Sequence, residues 1–211
     1  MIFDLDGTLV DTVEVRIAAW LRTFAEFDIP AARAHVARLI GSDGKRLART
    51  VAGAAGVILD AERAEAIDRH AGDIYSELNV DPQPLPGAPE LLDALNKRGL
   101  QWAVATSSRR DQVGASIQAL KLSKRPTVID GSHVKHAKPA PDLLLYAAAE
   151  IGVEPSRVWY VGDSIWDMEA AAKAEMVPIG VVTGAATAED LKASGAGLTV
   201  DNLRQLLPFV S

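Results

Sequence analysis

No cysteine occurs among the 211 residues. That excludes disulfides and thiolate metal sites, and it suits a reducing compartment. No apolar run approaches the ~18 residues of a membrane span; AVAT after Gln101 and PIGVVTG from Pro178 are among the longest. No basic segment followed by an apolar one opens the chain, and acidic residues begin at Asp4, so no secretory signal is visible. A cytoplasmic location is therefore expected. Positive charge is also in deficit: 22 Lys and Arg against 28 Asp and Glu leave a net charge of −6, which argues against a nucleic-acid surface. There is no internal repeat and no low-complexity tract, and the three methionines form no stripe.

What is present is globular in composition, with 48% hydrophobic and 24% charged residues. The length suffices for a full α/β core with a small second module. Texture changes along the chain. Residues from about 12 to 80 contain no alternating run and read as helices, with Val15, Ala18, Ala19, Leu21, Phe24 and Ala25 suited to one helical face. From Leu85 onward, short apolar runs alternate with helical segments. MIFDL, LQWAVATS, PTVIDG, RVWYVGD, VPIGVVTG and AGLTV read as strands, and PELLDALNKRG and PDLLLYAAAEIG as helices between them. Such alternation implies βαβ units and a parallel sheet covered on both faces. The expected fold is an α/β, Rossmann-like core of residues 1–11 and 82–211, interrupted by a helical module over 12–81, with the Pro-rich NVDPQPLPG as the return linker. Only three residues precede Asp4, so the first strand is expected either to be short or to lack residues upstream.

Four strand-end or loop stretches carry chemistry. In DLDGT, Asp4 and Asp6 stand where the first strand ends, which in parallel sheets is where ligands gather. Two carboxylates this close repel unless a cation or proton intervenes, although an Asp-Gly turn would also explain Asp6. In GDSIWD, Asp163 ends another strand, and Asp167 lies at a helix start, where an acid favours the dipole. With Asp4 and Asp6 it supplies the hard oxygen ligands that Mg²⁺ prefers. HAKPAPD places Lys138 before a helix entrance at Asp142. ATSS brings Thr106, Ser107 and Ser108 to a strand end, where hydroxyls either cap a helix or bind an anion.

Taken in order, DLDGTLVD, ATSS, KPAPD and GDSIWD resemble the four motifs of the haloacid dehalogenase-like hydrolase superfamily, over nearly the whole chain. The helical segment resembles that family's C1-type cap. The resemblance implies that Asp4 is the nucleophile, forming an aspartyl-phosphate, and that Asp6 is the general acid and base. It implies a Mg²⁺ site made by the Asp4 carboxylate, the Asp6 backbone carbonyl, the Asp163 carboxylate and, through water, Asp167. Lys138, the Thr106 hydroxyl and the Ser107 N–H would hold the phosphoryl oxygens. Dehalogenases of the family usually lack the second aspartate, so Asp6 favours phosphoryl transfer.

GDSIWDM, GVVTGAATAEDLKASGA and DNLRQL look like phosphoglycolate-phosphatase-like members. The expected substrate is accordingly a small-molecule phosphate ester, with 2-phosphoglycolate leading and a β-phosphoglucomutase-type sugar phosphomutase as the alternative. The expected state is monomer or homodimer, without nucleic-acid or membrane partners. The loop RLIGSDGKR, residues 38 to 46, interrupts the helical run. Lys45 and Arg46 on it are candidate substrate-binding residues, in a module whose nine basic and ten acidic side chains nearly balance. His35, His70, His133 and His136 form no metal set and are expected at the surface. Trp102 and Trp159 are expected in the core, Trp20 in the core or facing the cleft, and Trp166 near the site entrance.

Overall fold

The computed structural model describes residues 1–210. Along the chain it forms β1 (Ile2–Phe3), β2 (Val10–Asp11), α1 (Val13–Glu26), α2 (Arg33–Leu39), α3 (Gly44–Ala54), α4 (Ala61–Leu78), β3 (Gln83–Pro84) and α5 (Ala88–Lys97). There follow β4 (Ala103–Ala105), α6 (Gly114–Ala119), β5 (Thr127–Ile129), α7 (Asp142–Glu150), β6 (Trp159–Gly162), α8 (Ile165–Lys173), β7 (Val177–Val181), α9 (Ala188–Ala193), β8 (Leu198–Val200) and α10 (Leu207–Val210).

The apolar runs become a six-stranded sheet in the order β5-β4-β1-β6-β7-β8. All its pairings are parallel. Both faces are packed: Phe3, Val104 and Val161 point into one cluster with α5, while Ile2, Ala103 and Tyr160 point into another with α7 and α8. Period-two alternation thus feeds two cores at once, which is why the strands read as continuous apolar runs. No helix among the described residues is long and apolar enough to cross a membrane.

The helices α1 to α4 pack around a cluster of their own, built from Val13, Ile17, Trp20, Phe24, Val36, Leu47, Val51 and Ile67. The buried face of α1 is only in part the one expected: Ala19 and Phe24 are buried as read. Val13, Ile17, Trp20 and Phe24 face inward, while Ala18 and Ala25 are exposed. Burying the larger Ile17 and Trp20 removes far more apolar surface from water than burying two alanines, and this decides the rotation. Trp166, from α8, joins the same cluster and donates its indole N–H to the Arg38 carbonyl at 3.2 Å. It pins the helical group to the sheet side.

The Pro-rich return segment contains more than a linker. Its β3 pairs antiparallel with β2, Val10 opposite Pro84 and Asp11 opposite Gln83, so the chain leaves and re-enters the sheet region through a two-stranded neck. Trp102 and Trp159 lie half-buried at the core margin, edge-on to Phe3 and Phe209. His35, His70 and His133 are half-buried and His136 is exposed.

Candidate active site

Three neighbouring strands deliver the site. Asp4 follows β1, Thr106 follows β4 and Asp163 opens the loop after β6, so all three stand at the carboxyl edge of the sheet's centre. The loop before α7 adds Lys138, whose ammonium is fully buried. The first turn of α8 adds Asp167, the third helical residue of a capping box with Ser164. Asp142, read from the sequence as a helix entrance, is the first residue of α7.

Lys138 Nζ donates to Asp4 Oδ1 at 2.6 Å and to Asp167 Oδ1 at 2.7 Å. Tyr160 OH donates to the same Asp167 oxygen at 3.0 Å. The other Asp167 oxygen accepts from the Ser164 N–H at 3.0 Å and from its hydroxyl at 2.5 Å. Both Asp167 oxygens are therefore engaged, and their geometric effect is to hold Lys138 against Asp4. Asp4 Oδ2 makes no hydrogen bond among the described residues, and Asp4 lines the cleft. Asp163 accepts from the Thr8 hydroxyl at 2.8 Å. Gly7 is required beside it: its φ is +81°, and a Cβ there would stand 2.4 Å from Asp163 Oδ2.

Charge does not balance in this cluster. Ligand oxygens of Asp4, Asp163 and Asp167 lie within 4.8 Å of one another, all three residues buried, and Lys138 is the cation among them. Burial pushes the Asp4 carboxyl up to about 7; Lys138 opposes the shift, and Asp167 and Asp6 add to it. Burial, with repulsion from Asp167 and Asp4, drives Asp163 well above the carboxylate range. Lys138 loses by desolvation, but Asp167 and Asp4 more than compensate and hold it above an ordinary lysine. An excess of buried hard oxygen ligands is the donor chemistry that Mg²⁺ uses, and a cation would let Asp4 ionise at neutral pH.

Asp6 lives in the opposite environment. Its Oδ1 accepts from Thr12 at 2.7 Å and from the Tyr75 hydroxyl at 2.8 Å. Its Oδ2 accepts from Arg16 at 3.0 Å and from Ser108 at 2.6 Å. Burial opposes its charge, but Arg16 and these hydroxyls outweigh burial and keep the carboxyl below its usual value. The Arg16 guanidinium also lies 3.4 Å above the Tyr75 ring centroid. Two carboxyls two residues apart are thus pushed in opposite directions, the pattern expected where their tasks differ.

The cleft between sheet and helices has a volume of about 210 Å³. Asp4, Asp6, Thr106, Ser107 and Lys138 line its sheet side. Thr106 Oγ1 accepts from the Ser108 N–H at 3.1 Å, and the Ser107 N–H donates to no acceptor among the described residues. The loop between α2 and α3 closes the other side: the Asp43 N–H donates to the Lys138 carbonyl at 3.0 Å, and Ser107 Oγ to the Gly41 carbonyl at 3.4 Å. The two loop candidates part company. Lys45 lines the cleft and pairs with Glu65 at 3.3 Å, whereas Arg46 turns away to lie 4.7 Å from the Trp166 ring centroid. Trp20 serves both expected roles, buried in the helical cluster and lining the cleft.

Sequence reasoning missed Arg16, Tyr75, Thr12 and Tyr160, and it named Ser108 only as a strand-end hydroxyl, not as a partner of Asp6. A cation on the apolar stripe of α1, three residues after Val13 and four before Trp20, is the one local signal that pointed to any of them.

Acidic groups and one buried lysine at the carboxyl edge of a parallel sheet, under a closing loop, define an α/β enzyme that handles an anionic group. The chain belongs to the haloacid dehalogenase-like hydrolases, whose family model matches residues 1–181. Its class is that of a phosphoric monoester hydrolase. It is 35% identical to an N-acetylmuramic acid 6-phosphate phosphatase of Pseudomonas aeruginosa, over 98% of this chain and 92% of that protein. It is 31% identical to a phosphoglycolate phosphatase of Pseudomonas putida, over 99% of this chain and 78% of that one. The crystal structure of a hydrolase from Pseudomonas syringae superposes with a TM-score of 0.93 at 34% identity, covering 98% and 95% of the two chains.

Proposed function

We propose that the chain is a Mg²⁺-dependent phosphatase that hydrolyses a small-metabolite phosphomonoester through an aspartyl-phosphate on Asp4. The observation that carries this reading is Asp4 itself, with one oxygen fixed by Lys138 and the other open to the cleft. The Asp4 and Asp163 carboxylates and the Asp6 backbone carbonyl would hold Mg²⁺, with Asp167 acting through water; the ion, when bound, supplies positive charge for the transferring phosphoryl group. The helical module of residues 12–81 is the cap in this reading.

In the first step Asp4 Oδ2 attacks phosphorus, and the bond from phosphorus to the ester oxygen breaks. Lys138, the Thr106 hydroxyl and the free Ser107 N–H hold the non-bridging oxygens, whose charge grows in the transition state. Asp6 gives its proton to the departing oxygen. In the second step Asp6 takes a proton from water, which attacks phosphorus and releases Asp4 and phosphate. The four hydrogen bonds now holding Asp6 as a carboxylate suit the second step; the first requires that they loosen.

A phosphate-release assay with Mg²⁺ across a panel of phosphate esters, 2-phosphoglycolate included, tests this reading. Turnover that disappears with a chelator and returns with Mg²⁺, but poorly with Ca²⁺, is expected, because the larger ion accepts irregular coordination. Chelator-resistant turnover, or none on any ester, contradicts it. β-Glucose 1-phosphate with a bisphosphate primer serves as the check for a phosphomutase, for which no glucose 6-phosphate is expected to accumulate.

A further inference from the structure

The cap-side wall of the cleft is a mixed set of donors and acceptors. Lys45 from α3 and Arg109 from the loop after β4 face Asp43, Glu65 and Asp68 across it, three carboxylates against two cations. Arg16, the further cation on the lining, is already committed to Asp6.

Asp68 stands out within this set. Arg109 Nη2 donates to its backbone carbonyl at 3.0 Å, but no hydrogen bond reaches its carboxylate from any described residue. Gly44 makes room for that carboxylate: a Cβ at 44 would lie 1.9 Å from Asp68 Oδ1. The neighbouring carboxylates are otherwise engaged, Asp43 as the cap of α3, accepting from the Arg46 N–H at 3.0 Å, and Glu65 in its pair with Lys45. Beside these polar groups the lining is apolar, with Ala19, Trp20, Ile40, Leu47 and Ala71.

Resting on the phosphatase reading, we infer that the leaving group read by this cleft is a hydroxyl-rich one, a sugar or polyol phosphate, and that Asp68 is its specificity-determining residue. Each hydroxyl of a sugar both donates and accepts, so it satisfies a free carboxylate and a cation from one ring, while the C–H face packs on Trp20 and its apolar neighbours. The carboxylate of 2-phosphoglycolate accepts only. It would offer no donor to Asp68, which Arg109 and Lys45 attract only through space, so the substrate that led the expectation from sequence is here the disfavoured one.

The test measures kcat/KM with Mg²⁺ for glucose 6-phosphate, sorbitol 6-phosphate, N-acetylmuramic acid 6-phosphate, 2-phosphoglycolate and p-nitrophenyl phosphate, in wild type, Asp68→Ala and Asp68→Asn. In wild type the better of glucose 6-phosphate and sorbitol 6-phosphate, the esters whose leaving groups carry no carboxylate, is expected to exceed 2-phosphoglycolate at least 10-fold. That ratio should fall at least 10-fold in Asp68→Ala, mainly through KM for the sugar ester, and less in Asp68→Asn, which keeps one acceptor oxygen. Because the readout is a ratio within one variant, a partial loss of folded protein cancels. Turnover with 2-phosphoglycolate preferred, or a ratio unmoved by both substitutions, overturns the inference and leaves the phosphatase reading standing. Failure to hydrolyse any ester, p-nitrophenyl phosphate included, overturns both.

Discussion

On the sheet side of the cleft, Asp4, Lys138, Asp163 and Asp167 are almost wholly buried, and each is tied to at least one other side chain. On the helical side, the side chains of Lys45 and Glu65 keep 39% and 40% of their surface exposed, and Arg109, which reaches Glu65 from the loop after β4, keeps 28%. A phosphoryl group is the same in every ester, so the groups that handle it gain from being fixed in one geometry. Leaving groups differ, and a wall of half-exposed ion pairs can re-pair around them at little cost, since exposed pairs contribute only about 0–1 kcal/mol each. In the proposed reaction the first wall performs the chemistry and the second selects the leaving group.

The largest effect should come from breaking the sheet wall at its cation. Lys138→Met leaves buried carboxylates without their partner and is expected to lower the stability of the metal-free protein by about 3–5 kcal/mol. Urea unfolding with and without Mg²⁺ checks it; an unchanged midpoint would place the cluster in a wetter setting than described. Asp4→Asn is next. It should reduce kcat below one hundredth of wild type on every ester, a barrier increase of about 2.7 kcal/mol or more. A variant that spared one substrate class would erase the division between the walls.

A pH experiment sharpens the same contrast. In the metal-free fold the Asp4 pKa is about 7, against roughly 3.9 for an unfolded Asp. The folded state therefore keeps a proton that the unfolded chain has lost, and this contribution to stability, full at acid pH, disappears as pH rises through 7. Mg²⁺ competes for the same oxygens, so its gain in Tm should be larger at pH 8 than at pH 5.5 by at least about 3 °C. Thermal melts in chelator and in Mg²⁺ at the two pH values decide it; an equal gain at both would mean that Asp4 takes no part in binding the ion.

The smallest effect concerns the junction of the walls. Tyr75 reaches from α4 to Asp6 and accepts from Asn79 at 2.8 Å. Tyr75→Phe should cost about 1 kcal/mol of stability. Because three other donors still hold Asp6, kcat should fall less than 10-fold; a loss as large as that of Asp4→Asn would make the tyrosine part of the chemistry.

What the sequence made legible followed from local pattern. Apolar runs ending in Asp or Thr marked the strands, and the same residues are the ones that the sheet edge brings together. The surroundings of Asp6 were not legible. Tyr75 and Ser108 lie 69 and 102 positions from it, so no spacing joins them before the chain is folded. Tyr160 sits inside a strand read as apolar, and only the partnership of its hydroxyl with Asp167 shows its polar role. The neck of β2 and β3 escaped notice because a two-residue ladder has no periodicity to detect. Arg46 diverges from Lys45 because successive side chains on a helix point about 100° apart, and it lies against the Trp166 ring rather than in the cleft.

In the proposed reaction Asp4 carries the phosphoryl group. The direct measurement is acid quenching of the enzyme during turnover of [³²P]acetyl phosphate with Mg²⁺, followed by isolation of the protein. The expected result is label on the protein that hydroxylamine releases, absent from Asp4→Asn and absent without Mg²⁺. No label on the wild type during turnover, or label that persists in Asp4→Asn, would contradict it.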